Sequence, residues 1–206
     1  MRVIRALKVL LFLACLTPAV LLAIKLRNPI ELGPNPVEML EHTTGDWAIW
    51  FLLTTLSITP LRKLLNFPKL ILFRRMLGLF AFFYALSHFT IFLYYDNAFD
   101  WAALLKDLTK RPFIMVGFSA LVLLTPLAIT STTGWIRRLG GKNWQRLHRL
   151  IYVASALAVI HFYWLVKSDV REPLLYGGIW AVLMLFRLWT SLSKRMKRAP
   201  APVRVG

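Results

Sequence analysis

Long apolar runs alternate with short polar segments along this chain. Six stretches are dominated by apolar residues: 7–26, 47–61, 76–95, 112–130, 148–166 and 173–193. None shows the strict polar–apolar alternation of a membrane barrel strand. Most approach the ~20 residues that a helix needs to cross a bilayer. The second run is the shortest, and it extends toward Leu64 and Leu65 past Pro60. No internal repeat, low-complexity tract or linker divides the chain. The pattern predicts a single domain over residues 1–206, an all-α integral membrane protein built as a six-helix transmembrane bundle.

Composition removes the competing classes. Hydrophobic residues make up 58% of the 206 and charged residues only 17%, against roughly 25% charged in a soluble domain. A soluble chain of this length has too little polar side chain to cover so much apolar surface, so a soluble enzyme and a disordered chain are excluded. A single cysteine, Cys15, makes no intramolecular disulfide, no CxxC pair and no zinc site.

The formal net charge of +17 suggests nucleic acid only until the charges are placed. The segments before run 1, between runs 2 and 3, between runs 4 and 5, and after run 6 hold eighteen of the 26 basic residues and none of the nine acidic ones. The other three segments hold all nine acidic residues. Basic residues concentrate on the cytoplasmic side of membrane proteins, so both termini are expected in the cytoplasm, with no nucleic-acid partner. Run 1 reads as a retained span: no small-x-small cleavage site follows Ile24, and Lys25 with Arg27 is a poor cleavage context. No glycine-rich dinucleotide fingerprint and no P-loop is found.

No Asp or Glu lies inside a run, which weakens a proton-coupled transporter. Histidines are the candidate functional groups. His88 lies 13 residues beyond Arg75, where run 3 begins, and His161 lies 13 residues beyond His148, where run 5 begins. Both imidazoles therefore sit ~20 Å from the cytoplasmic ends. Two histidines at one depth on two helices suit bis-axial ligation of a haem iron, although each also suits a hydrogen bond to a neighbouring helix. Gly78, Ala81, Ala85 and His88 share one stripe, with room for a flat macrocycle or for close helix packing. A second level lies below. His148 is 140° from the face of His161 on an ideal helix, so sharing that face needs underwinding or a bulge. Arg74 is about 40° from the face of His88. Arg74 and Arg75, with Arg187 inside run 6, suit haem propionates or a flavin phosphate, or anionic lipid. His42, before run 2, reads as a cap-region or partner-contact residue, with Thr44 or Asp46 capping the helix.

Arg74-Arg75-Met76-Leu77-Gly78-Leu79 with Tyr84-Ala85-Leu86-Ser87-His88 resembles the third helix of the ferric-reductase-like transmembrane family. Trp144-Gln145-Arg146-Leu147-His148-Arg149-Leu150-Ile151-Tyr152 with His161 resembles its fifth. The likeness extends to Thr54–Pro60 with Arg62, and to Leu127–Ser131. The missing reductase domain narrows it to the haem-binding membrane subunits of bacterial periplasmic protein-methionine-sulfoxide reductase systems.

The resemblance implies an electron-transfer subunit of an oxidoreductase system, multi-pass in the bacterial inner membrane, rather than the catalytic subunit. It implies haem b and FMN as cofactors, and a periplasmic molybdopterin enzyme as the electron acceptor. The implied donor is a cytoplasmic flavin reductase or membrane quinol. The family usually carries two histidine pairs. Arg74 stands where the fourth histidine belongs, which favours a flavin near Arg74, Arg75 and His148 over a second haem. The competing readings are a cofactor-free membrane anchor or assembly factor, and a small transporter.

Overall fold

The computed structural model describes residues 2–166 and 168–196, and no strand is found among the described residues. Lys167, Lys197, Arg198 and Arg204, counted in the charge pattern, lie outside them. The α-helices are α1 (Arg2–Lys25), α2 (Pro36–Leu64), α3 (Ile71–Tyr95), α4 (Trp101–Lys110), α5 (Pro112–Ile129), α6 (Thr133–Leu147), α7 (Leu150–Leu165) and α8 (Arg171–Met196).

All six apolar runs fall on helices, but several boundaries move. Helix α2 begins eleven residues before run 2. The Asn35 side chain accepts the Glu38 backbone N–H at 3.3 Å and Pro36 occupies the first turn, a start signal that polar residues around it obscured. His42, Thr44 and Asp46 are therefore inside the helix, and neither Thr44 nor Asp46 caps it. Two segments expected as loops are helical. The Asp100 side chain accepts the Ala102 N–H at 2.8 Å and starts α4, and Thr132 starts α6. Gly140 breaks α6 with φ +73°, a conformation that L side chains resist. Run 5 also starts later: α6 ends at Leu147, α7 begins at Leu150, and the two are bent by 44°.

Four helical segments are singly long and apolar enough to cross a membrane: Arg2–Lys25, Pro68–Tyr95, Pro112–Ile129 and Arg171–Lys194. The bent pair α6–α7 makes a fifth. Helix α2 has the length, ~43 Å for its 29 residues at the standard rise. Its apolar stretch is diluted by Thr54, Thr55, Ser57, Thr59 and the basic pair Arg62–Lys63.

Helices α2 and α3 form one tightly packed pair and α5 and α7 another. Leu56, Tyr84, Ala81 and Ala154 are buried at the centre. A Cβ on Gly78 would sit 3.5 Å from Thr55 Cγ2. Gly78 and Ala81 therefore serve the contact of α3 with α2, as small residues do where helices cannot rely on hydrophobic exclusion. Outside, Val182, Leu185 and Trp189 of α8 are all more than 60% exposed, a distribution suited to a lipid solvent. Helix α1 rides on this core through Tyr84. Its hydroxyl donates to the Cys15 carbonyl at 2.8 Å and accepts the Ala19 N–H at 3.1 Å, inserting into the helical ladder beside Pro18.

Candidate functional site

Each of the two membrane histidines leans on the helix paired with its own. His88 of α3 donates Nδ1–H to the Glu41 carbonyl of α2 at 2.9 Å. His161 of α7 donates Nδ1–H to the Phe113 carbonyl of α5 at 2.7 Å. A carbonyl only accepts, so both rings hold their proton on Nδ1 and leave the Nε2 lone pair free. The pairing of α2 with α3 and of α5 with α7, and the packing of the two pairs, brings the rings close together. Their centroids are 6.2 Å apart, with planes inclined by 72°.

That separation fits one metal atom. An imidazole nitrogen bonds a transition metal at about 2.0–2.1 Å and lies ~1.1 Å from its ring centroid, so two collinear imidazoles on one atom place their centroids ~6.3 Å apart. The donor set also discriminates. No group of three or more His, Cys, Asp or Glu that could hold a metal is found among the described residues, so a tetrahedral cage is not built here. Two neutral imidazoles this close together are the donor set of a bis-histidine haem iron. The helix faces behind the rings carry glycines: a Cβ on Gly45 would meet His88 at 3.4 Å, and one on Gly117 would meet His161 Nδ1 at 2.6 Å. The residues present fit an axially ligated haem.

The second level is resolved by the break between α6 and α7. His148 caps the end of α6 and is not on the helix of His161, so no underwinding is needed. Its ring stacks on Trp144 with centroids 3.9 Å apart and an interplanar angle of 28°. Its Nδ1 donates to the Trp144 carbonyl at 3.1 Å, and Nε2 is buried without a partner. Trp144 is pinned in turn by Nε1–H to the Thr130 carbonyl at 2.8 Å.

Arg187 of α8 enters the same region. It donates Nη2–H to the Leu56 carbonyl and Nη1–H to the Tyr152 hydroxyl at 3.2 Å, with its guanidinium 5.2 Å over the Tyr152 ring. The Leu56 carbonyl is available because residue 60, four positions on, is proline and has no N–H to offer it. Arg74 of α3 is half-buried. None of the salt bridges among the described residues involves Arg74 or Arg187. Arg75 goes elsewhere. One position along a helix is a turn of ~100°, which places Arg75 with Lys8, Phe12 and Phe83 in a groove of about 480 Å³ between α1 and α3. Arg187, through Tyr152, and His148, in the turn before Leu150, thus both lie at the start of α7, while Arg75 lines the groove against α1. His42 is an exposed partner of Glu38, 3.9 Å away.

Sequence reasoning missed Gly45, Gly117 and the two carbonyls at Glu41 and Phe113. The available signal was a glycine inside each helix, which costs ~1 kcal/mol relative to alanine and so calls for a reason.

An all-helical membrane bundle with two opposed imidazoles is one architecture among several, and the comparisons with known proteins choose between them. Residues 44–159 match the family described as ferric reductase like transmembrane component, and the chain belongs to that family. The match contains His88 and His148, and His161 lies two residues beyond it.

Similarity to individual proteins is narrower than the family. The chain is 54% identical over 192 residues to the protein-methionine-sulfoxide reductase heme-binding subunit MsrQ of Herminiimonas arsenicoxydans, covering 92% of this chain and 88% of that protein. It is 56% identical over 168 residues to the MsrQ subunits of Xanthomonas campestris pv. campestris (strain 8004) and Xanthomonas oryzae pv. oryzae (strain MAFF 311018), covering 82% of this chain and 77% of each.

Proposed function

We propose that this protein is the haem b electron-transfer subunit of a periplasmic protein-methionine-sulfoxide reductase system, with His88 and His161 as the axial ligands. One observation carries the reading: two imidazoles, each fixed by a backbone carbonyl from a different helix pair, lie with centroids 6.2 Å apart. A haem held by His88 and His161 would supply a one-electron carrier. The residues do the rest. The Glu41 and Phe113 carbonyls orient the rings and keep the proton off Nε2, and the enclosing helices exclude water.

The charge pattern supports six spans in the bacterial inner membrane, with both termini cytoplasmic and α2 as the second span. His88 and His161 then lie toward the periplasm, where a molybdopterin catalytic subunit accepts electrons to reduce oxidised methionines. Arg74, Arg187 and His148 lie toward the cytoplasm, where a flavin reductase or membrane quinol donates them. Two half-buried arginines without an acidic partner among the described residues favour an anionic cofactor there. FMN is our assignment, its phosphate on Arg74 and Arg187.

The test is a visible absorption spectrum of purified protein with a haem-to-protein ratio. A b-type spectrum of six-coordinate haem is expected, lost in His88→Ala and in His161→Ala and retained in His42→Ala. Full haem content in both of the first two variants overturns the ligand assignment. Absence of any haem band in the unaltered protein points instead to a cofactor-free anchor or a transporter.

A further inference from the structure

The two histidine seats are built alike. Glu41 and Gly45 are four residues apart on α2, and Phe113 and Gly117 are four residues apart on α5. In a helix the carbonyl of residue i accepts the N–H of residue i+4. The side chain of residue i+4 leans toward the N-terminus, over that same carbonyl. A side chain at Gly45 or Gly117 would therefore cover the oxygen that His88 or His161 uses. Glycine leaves the carbonyl open to a second donor from the neighbouring helix.

The two seats differ in tightness. A Cβ at Gly45 would lie 3.4 Å from the nearest His88 ring atoms, an ordinary contact. A Cβ at Gly117 would lie 2.6 Å, 2.8 Å and 2.9 Å from His161 Nδ1, Cε1 and Cγ. Phe113 is also the closer acceptor, at 2.7 Å against 2.9 Å for Glu41. To restore a 3.4 Å contact the His161 ring must retreat by ~0.8 Å, which stretches its bond to Phe113 to the edge of hydrogen-bonding distance.

Resting on the assignment of His88 and His161 as haem ligands, we propose that Gly117 is a positioning residue for the haem: it uncovers the Phe113 carbonyl for His161 and so sets the donor strength of that axial ligand, with Gly45 playing the same part more loosely for His88. A hydrogen bond from Nδ1 raises the basicity of the metal-bound nitrogen. A stronger donor stabilises the ferric state and lowers the midpoint potential. Lengthening the His161 bond acts in the opposite direction.

The experiment compares Gly117→Ala, Gly45→Ala and Gly178→Ala in the full-length protein. Gly178 has nothing within 4 Å of its missing Cβ, so that variant carries the glycine-to-alanine change in a helix without the contact. Haem retention, the low-spin electron paramagnetic resonance signal and the midpoint potential are measured on each. Gly178→Ala is expected to match the unaltered protein, and Gly45→Ala to shift little. Gly117→Ala is expected to weaken haem retention by roughly 10–100-fold, with the remaining haem titrating at a more positive potential and an altered low-spin signal. A Gly117→Ala protein that matches Gly178→Ala in all three overturns the proposal, as does a larger effect at Gly45. If Gly117→Ala assembles no haem, apoprotein melting decides. A ring clash is relieved by adding His161→Ala, so the double variant should melt with His161→Ala alone. Additive losses mean that Gly117 serves helix packing, and the proposal fails. Absence of a bis-imidazole signal in the unaltered protein removes the ligand assignment itself and is read separately.

Discussion

Replacing Arg187 with methionine tests how a cation is accommodated among apolar helices. The guanidinium donates to the Leu56 carbonyl and to the Tyr152 hydroxyl. Removing it leaves the Leu56 carbonyl without a donor, because Pro60 occupies the position that would satisfy it. An orphaned buried acceptor costs about 1–3 kcal/mol. Removing a charge from a membrane helix returns ~2.5–3.5 kcal/mol at the bilayer centre, and less for a half-buried group. The two effects nearly offset, so the single variant decides little. Pro60→Ala separates them by restoring an N–H aimed at Leu56. Beside Arg187 that donor is redundant, and beside Met it fills a vacancy. Pro60→Ala should therefore stabilise the Arg187→Met protein by about 1–3 kcal/mol more than it stabilises the unaltered one. Denaturant unfolding of the four proteins in one detergent, followed by far-ultraviolet circular dichroism, closes the cycle. Additivity within ~0.5 kcal/mol would refute the claim that Arg187 takes the carbonyl that proline frees.

Flavin fluorescence on purified samples should fall by roughly one to two decades of affinity in Arg74→Gln, for a lost charge-assisted bond of ~1.5–3 kcal/mol, and stay unchanged in Arg75→Gln. Haem absorbance should survive in both, and equal flavin loss in the two would return Arg75 to the site. His148→Ala should slow reduction by the cytoplasmic-side donor in a stopped-flow assay more than it lowers haem content; a loss of haem with unchanged reduction rate would contradict the two-level arrangement. Tyr84→Phe should lower stability by about 0.5–1.5 kcal/mol by removing the bridge between the Cys15 carbonyl and the Ala19 N–H, read as a lower melting temperature with an unaltered haem spectrum. A reporter fused after residue 206 should be active only in its cytoplasmic form; periplasmic activity would reverse the orientation.

Much of the architecture was legible because hydrophobicity is carried locally. Each apolar run fell on a helix, whereas the equal depth of His88 and His161 was counted from Arg75 and His148, and the helices that carry them start at Ile71 and Leu150. Boundaries were read less well where polar caps counted for more than apolar content. Asn35 and Pro36 start α2 well before the first apolar residues of run 2, and Asp100 and Thr132 start helices in segments too polar to register as spans. The stripe of Gly78, Ala81, Ala85 and His88 pointed to a true helix face, yet whether Gly78 met a cofactor or Thr55 depended on the neighbour.

The sequence by itself determined the class of protein and the helices that carry the apolar runs, since each is a property of one stretch of chain, and it singled out the histidines. The tertiary structure alone decided which groups act together. His88 meets Glu41 across 47 residues of chain, His161 meets Phe113 across 48, and Arg187 meets Leu56 across 131. It also gave Gly45 and Gly117 their neighbours. Helical propensity and hydrophobic periodicity are set by nearest neighbours, whereas a hydrogen bond between helices is set by how whole faces pack, and no local pattern encodes the partner.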